Sequence, residues 1–365
     1  MISIAIPVYG QQQFIATALE SVRCQSVSYE VAVMDATPDD SVQMILDQYA
    51  EIIAYSRHGK DDGQSSAIQE GWDNTSGEIV AWLCADDYYF PNTLELVNDF
   101  FDSHPEVDVV YGDSMFVDAS SHFKMYFPAI ENDASCLPVR DCIAQPSCFV
   151  RRKALESVGG LDVTMHYIMD WNLWIRLYRS GAKFHHMEKC LSVTRVYPET
   201  KTNGMSYDRY CEVNHQLKQG ASFSRRVRGL LGMFYCDLAE NKKNFASDVV
   251  FSLLTWGVYA ESKIFRTKAK YKYGLELWTN KIIDTCEINQ PWYHSKSPKV
   301  VSLTVLPNVE VTLSVNGHQV MCNHLDKDAA QLFTIPDNLA KNEHKMWRFQ
   351  LRVDEPCRLV SFVVM

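Results

Sequence analysis

The first 87 residues alternate short apolar runs with amphipathic stretches, and that alternation decides the class of fold. Ile2–Val8 is an apolar run that ends in Pro7-Val8-Tyr9-Gly10, and from Gln12 to Arg23 the residues Phe14, Ala18, Leu19 and Val22 recur at helical spacing. Val31–Met34 is a second run, followed by a turn at Asp35–Pro38. Asp39 is placed to cap a helix to about Tyr49, with Val42, Ile45 and Leu46 on its apolar face. A third strand is expected over Ile52–Tyr55 and a third helix from Ser65 to about Asn74. Ile79–Leu83 is the fourth strand, and it runs straight into Ala85-Asp86-Asp87. The order β-α-β-α-β-α-β predicts an α/β chain: a parallel, Rossmann-like sheet with helices on both faces.

In such sheets ligands collect beyond the carboxyl ends of the strands. Three acidic sites fall there: Asp35, Asp61-Asp62 and Asp86-Asp87. A turn favours Asp for its own sake, which accounts for any one of them; three along one edge are the first functional signal. Asp86 and Asp87 are two carboxylates after a hydrophobic strand. Such a pair can hold Mg²⁺ or Mn²⁺ and leave coordination positions for a diphosphate, whose charge the ion neutralises on departure. Alone, the same pair reads better as a solvated turn with a helix-capping Asp.

Charge divides the chain further. Residues 1–214 hold 15 Lys and Arg against 31 Asp and Glu, residues 215–297 hold 13 against 7, and residues 298–365 hold 7 of each. An acidic N-terminal part argues against a nucleic-acid partner, because phosphate backbones need a basic footprint; it suits a site that concentrates a divalent cation. The longest nearly uninterrupted apolar stretch, Val249–Ala260, is about half the roughly 20 residues of a membrane-spanning helix. The N-terminus carries no basic segment of a secretory signal. Eleven scattered cysteines without a CxxC pair fit reduced thiols in a cytosol better than a disulfide or zinc framework.

Beyond Asp87, Pro91 and Asn92 lead into a helix to about Ser103, and strands follow at Val107–Tyr111 and Ser147–Arg151. Trp171, Leu173, Trp174, Ile175 and Leu177 predict an amphipathic helix starting near Asp170. Residues 222–282 read as helical. From Lys299 the pattern turns to alternation, with a hairpin signal at Asn316-Gly317, so residues 298–365 are expected to be a small antiparallel, β-sandwich-like domain. Three units follow: 1–214, a helical basic 215–297, and 298–365.

Several segments together resemble one family. Ser3-Ile4-Ala5-Ile6-Pro7-Val8-Tyr9 resembles the opening strand of family 2 glycosyltransferases, which have the GT-A fold, and Val33–Asp39 resembles their V-x-D-D/G-x-S-x-D turn. Asp62-Gly63-Gln64-Ser65-Ser66-Ala67-Ile68 is similar to their D-G-Q-S-D-A-I segment, and Gly77–Asp87 to G-D-I-I-x-W-L-N-S-D-D, the family's DxD-type metal site. Gln145–Arg152, Gly159–Asp162 and Met169–Trp174 follow in the family's order, so the resemblance covers roughly residues 1–205.

The resemblance implies roles. Asp35 and Asp62 match positions that hold the nucleotide's base, Asp86 the position near ribose and metal, and Asp87 the ligand of Mn²⁺ or Mg²⁺. Asp170 matches the catalytic base of inverting members, which takes the acceptor hydroxyl's proton as it attacks the anomeric carbon; alone, Asp170 reads as a helix cap. Arg195–Thr202 resembles the R-x-H-x-x-S-x-T loop, with Tyr197 in the His place, and Arg195 is expected at the diphosphate of the nucleotide-sugar. Gln145 and Trp171 fall where the acceptor sugar should lie, although Trp at helical spacing also reads as core. Ala36, Gln69, Cys84 and Ala85 depart from the family's usual residues without removing an ionisable group.

The implied function is an inverting, metal-dependent transfer from a nucleotide-diphosphate sugar to a glycan or lipid-linked glycan hydroxyl, in bacterial surface polysaccharide biosynthesis. The implied place is the cytoplasm. Lys263, Arg266, Lys268, Lys270 and Lys272 read either as a solvated helix face or as a peripheral contact with the inner face of the membrane. The tail, with Val315-Asn316-Gly317, Phe333–Pro336, Trp347-Arg348-Phe349 and Pro356–Leu359, resembles small β-sandwich modules appended to some bacterial polysaccharide glycosyltransferases, which implies glycan binding, oligomer formation or cover for the helical region. The alternative is a catalytically inactive glycan-binding or scaffold protein, against which the retained Asp62, Asp86, Asp87 and Asp170 speak. A sugar-1-phosphate nucleotidyltransferase would carry an N-terminal Gly-rich basic loop, which Pro7–Gln12 lacks.

Overall fold

The computed structural model describes residues 1–221 apart from 122, 128–133, 139–140 and 202–205, scattered positions up to 234, and from 282 the strands named below with the turns beside them. The chain opens with β1 (Ile2–Val8), α1 (Ile15–Arg23), β2 (Tyr29–Asp35), α2 (Gln43–Leu46), β3 (Ile53–His58), α3 (Gln64–Asp73) and β4 (Ile79–Trp82). β1 pairs in parallel with β2 on one side and β4 on the other, and β3 adds in parallel to β2. The order β3-β2-β1-β4 is the parallel half anticipated from the apolar runs.

Successive side chains of a strand point to opposite faces, and here both faces are covered. Ala5, Ala32, Met34, Val80 and Trp82 pack against Ala67, Ile68 and Trp72 of α3. Ile4, Ile6, Val31, Val33 and Ala81 pack on the other side against Ile15, Leu19 and Val22 of α1. Ser3, the one polar residue of β1, is buried; its hydroxyl donates to Glu30 (2.7 Å) and accepts from the Gly77 N–H (2.8 Å). α3 approaches the sheet closely at Gly71, where a Cβ would come within 2.6 Å of the Met34 methyl.

The second part contains β5 (Tyr88–Tyr89), α4 (Thr93–Ser103), β6 (Val109–Val117), β7 (Phe123–Phe127), β8 (Cys148–Arg151), α5 (Arg152–Ser157), α6 (Met169–Arg179), β9 (Phe184–Arg195) and α7 (Tyr207–Gly220). β8 runs antiparallel to both β4 and β6, while β9 lies parallel to β6 and antiparallel to β5. A parallel half continued by a mixed half, with helices on both faces, is the GT-A arrangement. Two local readings change. The helix expected from Asp39 shrinks to α2 and a tight turn over Asp47–Ile52, because Asp39 accepts from the Ser41 N–H (3.0 Å) in a turn of its own. β9 has no counterpart in the sequence reading.

Toward the C-terminus come β10 (Ile282–Pro291), β11 (Val300–Leu306), β12 (Val311–Val315), β13 (His318–Val320), β14 (Cys322–Leu325), β15 (Ala330–Thr334) and β16 (Met346–Val364). All pair antiparallel. Val311, Leu313 and Val315 are buried with Thr312 exposed between them, and Gly317 takes φ +84 in the β12–β13 hairpin. β10 lies within residues 215–297, read as helical, so β structure begins ahead of residue 298. The basic segment from Lys263 to Lys272 lies outside the described residues. Among those described, no helix is long and apolar enough to cross a membrane.

Candidate active site

The site grows from the carboxyl end of β4. The Leu83 N–H still bonds to the Ala5 carbonyl of β1 (3.0 Å), and the Asp87 N–H turns back onto the Cys84 carbonyl (2.9 Å). The turn puts one ligand atom each of Cys84, Asp86 and Asp87 within 4.8 Å of one another. Asp87 is buried, and its Oδ1 accepts from the Arg195 backbone N–H (2.9 Å). Asp86 accepts from the Tyr197 hydroxyl (2.9 Å). The end of β9 thus grips both carboxylates.

Burial raises the pKa of both. Asp87 is pushed well above the usual carboxylate range, and the neighbouring charge of Asp86 adds to this. Among the described residues, no Lys or Arg forms an ion pair with either. Two desolvated, adjacent acids whose charge Arg195 offsets only in part are what a divalent cation relieves. The donor set fits Mg²⁺ or Mn²⁺ through the carboxylate oxygens, while burial and the neighbouring carboxylates keep Cys84 a protonated thiol.

Asp170 stands in the first turn of α6, with its Oδ1 on the Trp171 N–H (2.7 Å). Burial raises its pKa, and the Lys201 charge partly offsets that. Asp170, Asp86 and Asp87 all act on the Cys84 thiol, pushing it up beyond the effect of burial. All three carboxylates therefore lie within electrostatic reach of one thiol at the end of β4, the mouth of the sheet. The Cys84 Sγ accepts from Gln64 Nε2 (3.4 Å) and donates to Gln145 Oε1 (3.6 Å), and Lys201 Nζ donates to Gln64 Oε1 (3.2 Å). Lys201 is a cation at this mouth: burial lowers its pKa, while Cys84, Glu212 and Asp170 oppose the shift.

The N-terminus of α6 is held from α7. Glu212 accepts the N–H groups of His166 (2.9 Å), Tyr167 (2.8 Å) and Ile168 (3.2 Å), and Asn172 donates to Gln216 (2.9 Å). Glu212→Ala orphans three donors at once. It is expected to lower stability by about 1–3 kcal/mol, read as a lower urea midpoint at unchanged slope.

The remaining residues divide. Gln145 lies at the mouth, tied by Nε2 to the Trp82 carbonyl (2.8 Å). Asp62 is exposed in the turn before α3. Asp35, at the end of β2, has no exposed surface; it accepts from the Thr37 N–H (2.9 Å) and pairs with His58 Nδ1 (2.7 Å), so the group it presents to solvent is His58. Two expectations are corrected. Trp171 is a core residue, its Nε1–H donating to the Leu137 carbonyl (2.7 Å), because α6 lays that face on the sheet beside the Trp174–Trp82 stack. Arg195 is 4% exposed; its guanidinium donates to the Asp86, Asp118 and Ala119 carbonyls and the Ser121 hydroxyl and lies 4.5 Å from the Phe14 ring centre. It braces the acidic turn from behind and does not reach outward to a diphosphate. Tyr197 and Lys201 were visible only as members of a basic loop, and nothing local marks Glu212.

Residues 3–159 match the model of glycosyl transferase family 2. A glycosyltransferase of Rickettsia typhi is 28% identical over 56% of this chain and 66% of its own length. The amylovoran biosynthesis glycosyltransferase AmsE of Erwinia amylovora is 23% identical over 63% of this chain and 90% of its own. The chain spans between 37 and 66% of the length of the first Rickettsia relatives it matches. The structure of TarS residues 1–349 from S. aureus, in complex with UDP-GlcNAc, superposes with a TM-score of 0.48 at 16% identity, over 65% of this chain and 71% of that one.

Proposed function

We propose that the chain, whose residues 3–159 match the model of glycosyl transferase family 2, moves a sugar from a nucleotide-diphosphate sugar to a hydroxyl of a glycan or lipid-linked glycan, with inversion, in surface polysaccharide assembly. The observation that carries the reading is the cluster of Cys84, Asp86 and Asp87 after β4, with Asp170 within electrostatic reach of the same thiol. The name of the Erwinia amylovora relative supports the polysaccharide setting. Residues 1–214 would be the catalytic unit, with 298–365 as an accessory β module.

In this reading Asp86 and Asp87 hold Mn²⁺ or Mg²⁺, which supplies charge neutralisation to the departing diphosphate. Asp62 and His58, the latter seated on Asp35, frame the nucleotide. Lys201 faces the donor from the loop after β9, and Gln145 borders the acceptor side. Asp170 takes the proton of the acceptor hydroxyl as that oxygen attacks the anomeric carbon, and its raised pKa makes it a stronger base than an exposed carboxylate.

That role sets a pH dependence. Only the ionised Asp170 accepts a proton, so turnover falls as pH drops through a pKa above the usual carboxylate value. Lys201 lowers that pKa; Lys201→Met is therefore expected to move the acid limb of kcat to higher pH. An unmoved limb would separate Lys201 from Asp170.

The direct test is thermal denaturation with nucleoside diphosphates, each with and without Mn²⁺. A ligand that binds only the folded chain raises its midpoint, by about 2.7 kcal/mol of stability at a hundredfold excess over Kd. A rise for one nucleotide that requires the metal supports the proposal. No rise for any uridine, guanosine or thymidine diphosphate would overturn it.

A further inference from the structure

Beside the mouth, two cysteines meet. Cys136 closes the tight turn Ala134–Cys136 and Cys142 precedes the turn Gln145–Ser147, and their Sγ atoms lie 2.7 Å apart. Non-bonded heavy atoms rest at roughly 3.5–4.0 Å, so these sulfurs stand inside ordinary contact distance. Cys136 is half-buried and Cys142 is 1% exposed. Of the pair, Cys136 is the partly exposed residue and Cys142 the buried one.

We infer that Cys136 and Cys142 are a redox modification site: a dithiol that closes to a disulfide on reaction with a small disulfide such as oxidised glutathione. The Cys136 thiolate attacks a glutathione sulfur, releasing one reduced glutathione and leaving a mixed disulfide. The Cys142 thiolate then attacks the Cys136 sulfur and expels the second glutathione. Two protein thiols lose two electrons and two protons, and one glutathione disulfide becomes two thiols. The order follows from exposure, since reagent reaches Cys136 and not Cys142.

The position gives the bridge a consequence. Leu137, next to Cys136, holds the Trp171 indole on its carbonyl, and Trp171 follows Asp170. Gln145, three residues after Cys142, ties to the Trp82 carbonyl at the end of β4. A bond between Cys136 and Cys142 fastens the segment that spans the helix of Asp170 and the strand of Asp86–Asp87. The inference concerns thiol chemistry and stands apart from the glycosyl transfer reading.

The test is peptide mapping of the full chain, equilibrated across ratios of reduced to oxidised glutathione, acid-quenched, alkylated and digested with trypsin. Cleavage after Arg140 separates the two cysteines. The expected result is a linked peptide pair that accumulates with oxidant, disappears with dithiothreitol, and fragments to place the bond on Cys142 and not on Cys148. Cys142→Ser should instead accumulate the glutathione adduct on Cys136. Cysteines alkylated singly at every ratio, a bond from Cys136 to any other cysteine, or no adduct in Cys142→Ser would overturn the inference.

Discussion

Asp170→Asn is expected to cut sugar transfer by about 10²–10⁴-fold, the range for loss of a positioned general base, while donor affinity stays that of the parent chain. Asn has the shape of Asp, and its carbonyl oxygen can still accept from the Trp171 N–H, so the first turn of α6 keeps its geometry. What disappears is the capacity to receive a proton. The change should therefore appear in kcat at saturating substrates, with calorimetric donor binding as the control. Unchanged turnover removes Asp170 from the chemistry. Loss of donor binding together with turnover reassigns it to the donor.

Asp87→Asn should be more severe for metal dependence and, unusually for an inactivating change, should stabilise the metal-free chain. Asn can still accept from the Arg195 N–H, but the charge that holds the cation is gone. Metal-ion charge stabilisation is worth several kcal/mol, so turnover is expected to fall by roughly 10³-fold or more. The stability change follows from linkage. Burial raises the Asp87 pKa in the folded chain, so between the unfolded and folded values the folded state binds more protons, and stability declines as pH rises through that window. At neutral pH with chelator, the Asn variant escapes this cost and should melt above the parent. The difference should vanish below about pH 4, where both states of the parent are protonated. Added Mn²⁺ should raise the parent's midpoint and leave the variant's unchanged. A variant that still responds to Mn²⁺ would remove Asp87 from the metal site.

The parallel half of the sheet was legible because its inner strands β1, β2 and β4 are covered on both faces and so appear as largely apolar runs, from Ile2–Val8 to Ile79–Trp82. The acidic mouth was legible for the same reason: parallel strands deliver their ends to one edge, so Asp86-Asp87 after β4 could be placed without coordinates. Direction was not legible. Arg195 and Lys201 share one loop and one charge, yet burial among carbonyls turns Arg195 into the fold while Lys201 faces the mouth. Trp171 and Trp174 have a spacing that suits core or ligand equally, and only the packing of α6 decides for core. β9 escaped because its first half, from Phe184 to Cys190, is largely polar and its register with β6 shifts at Asp113. Glu212 acts through three N–H groups more than forty residues away in sequence, a partnership that no local pattern encodes.

The most direct measurement is proton NMR of the anomeric centre during turnover, using whichever nucleotide sugar stabilises the chain together with Mn²⁺. With one carboxylate, Asp170, receiving the proton from an acceptor that attacks opposite the leaving diphosphate, the first-formed product must carry the anomeric configuration opposite to that of the donor, and its appearance must stop when the metal is chelated. A product that keeps the donor's configuration, or one that forms equally well in chelator, would contradict the account.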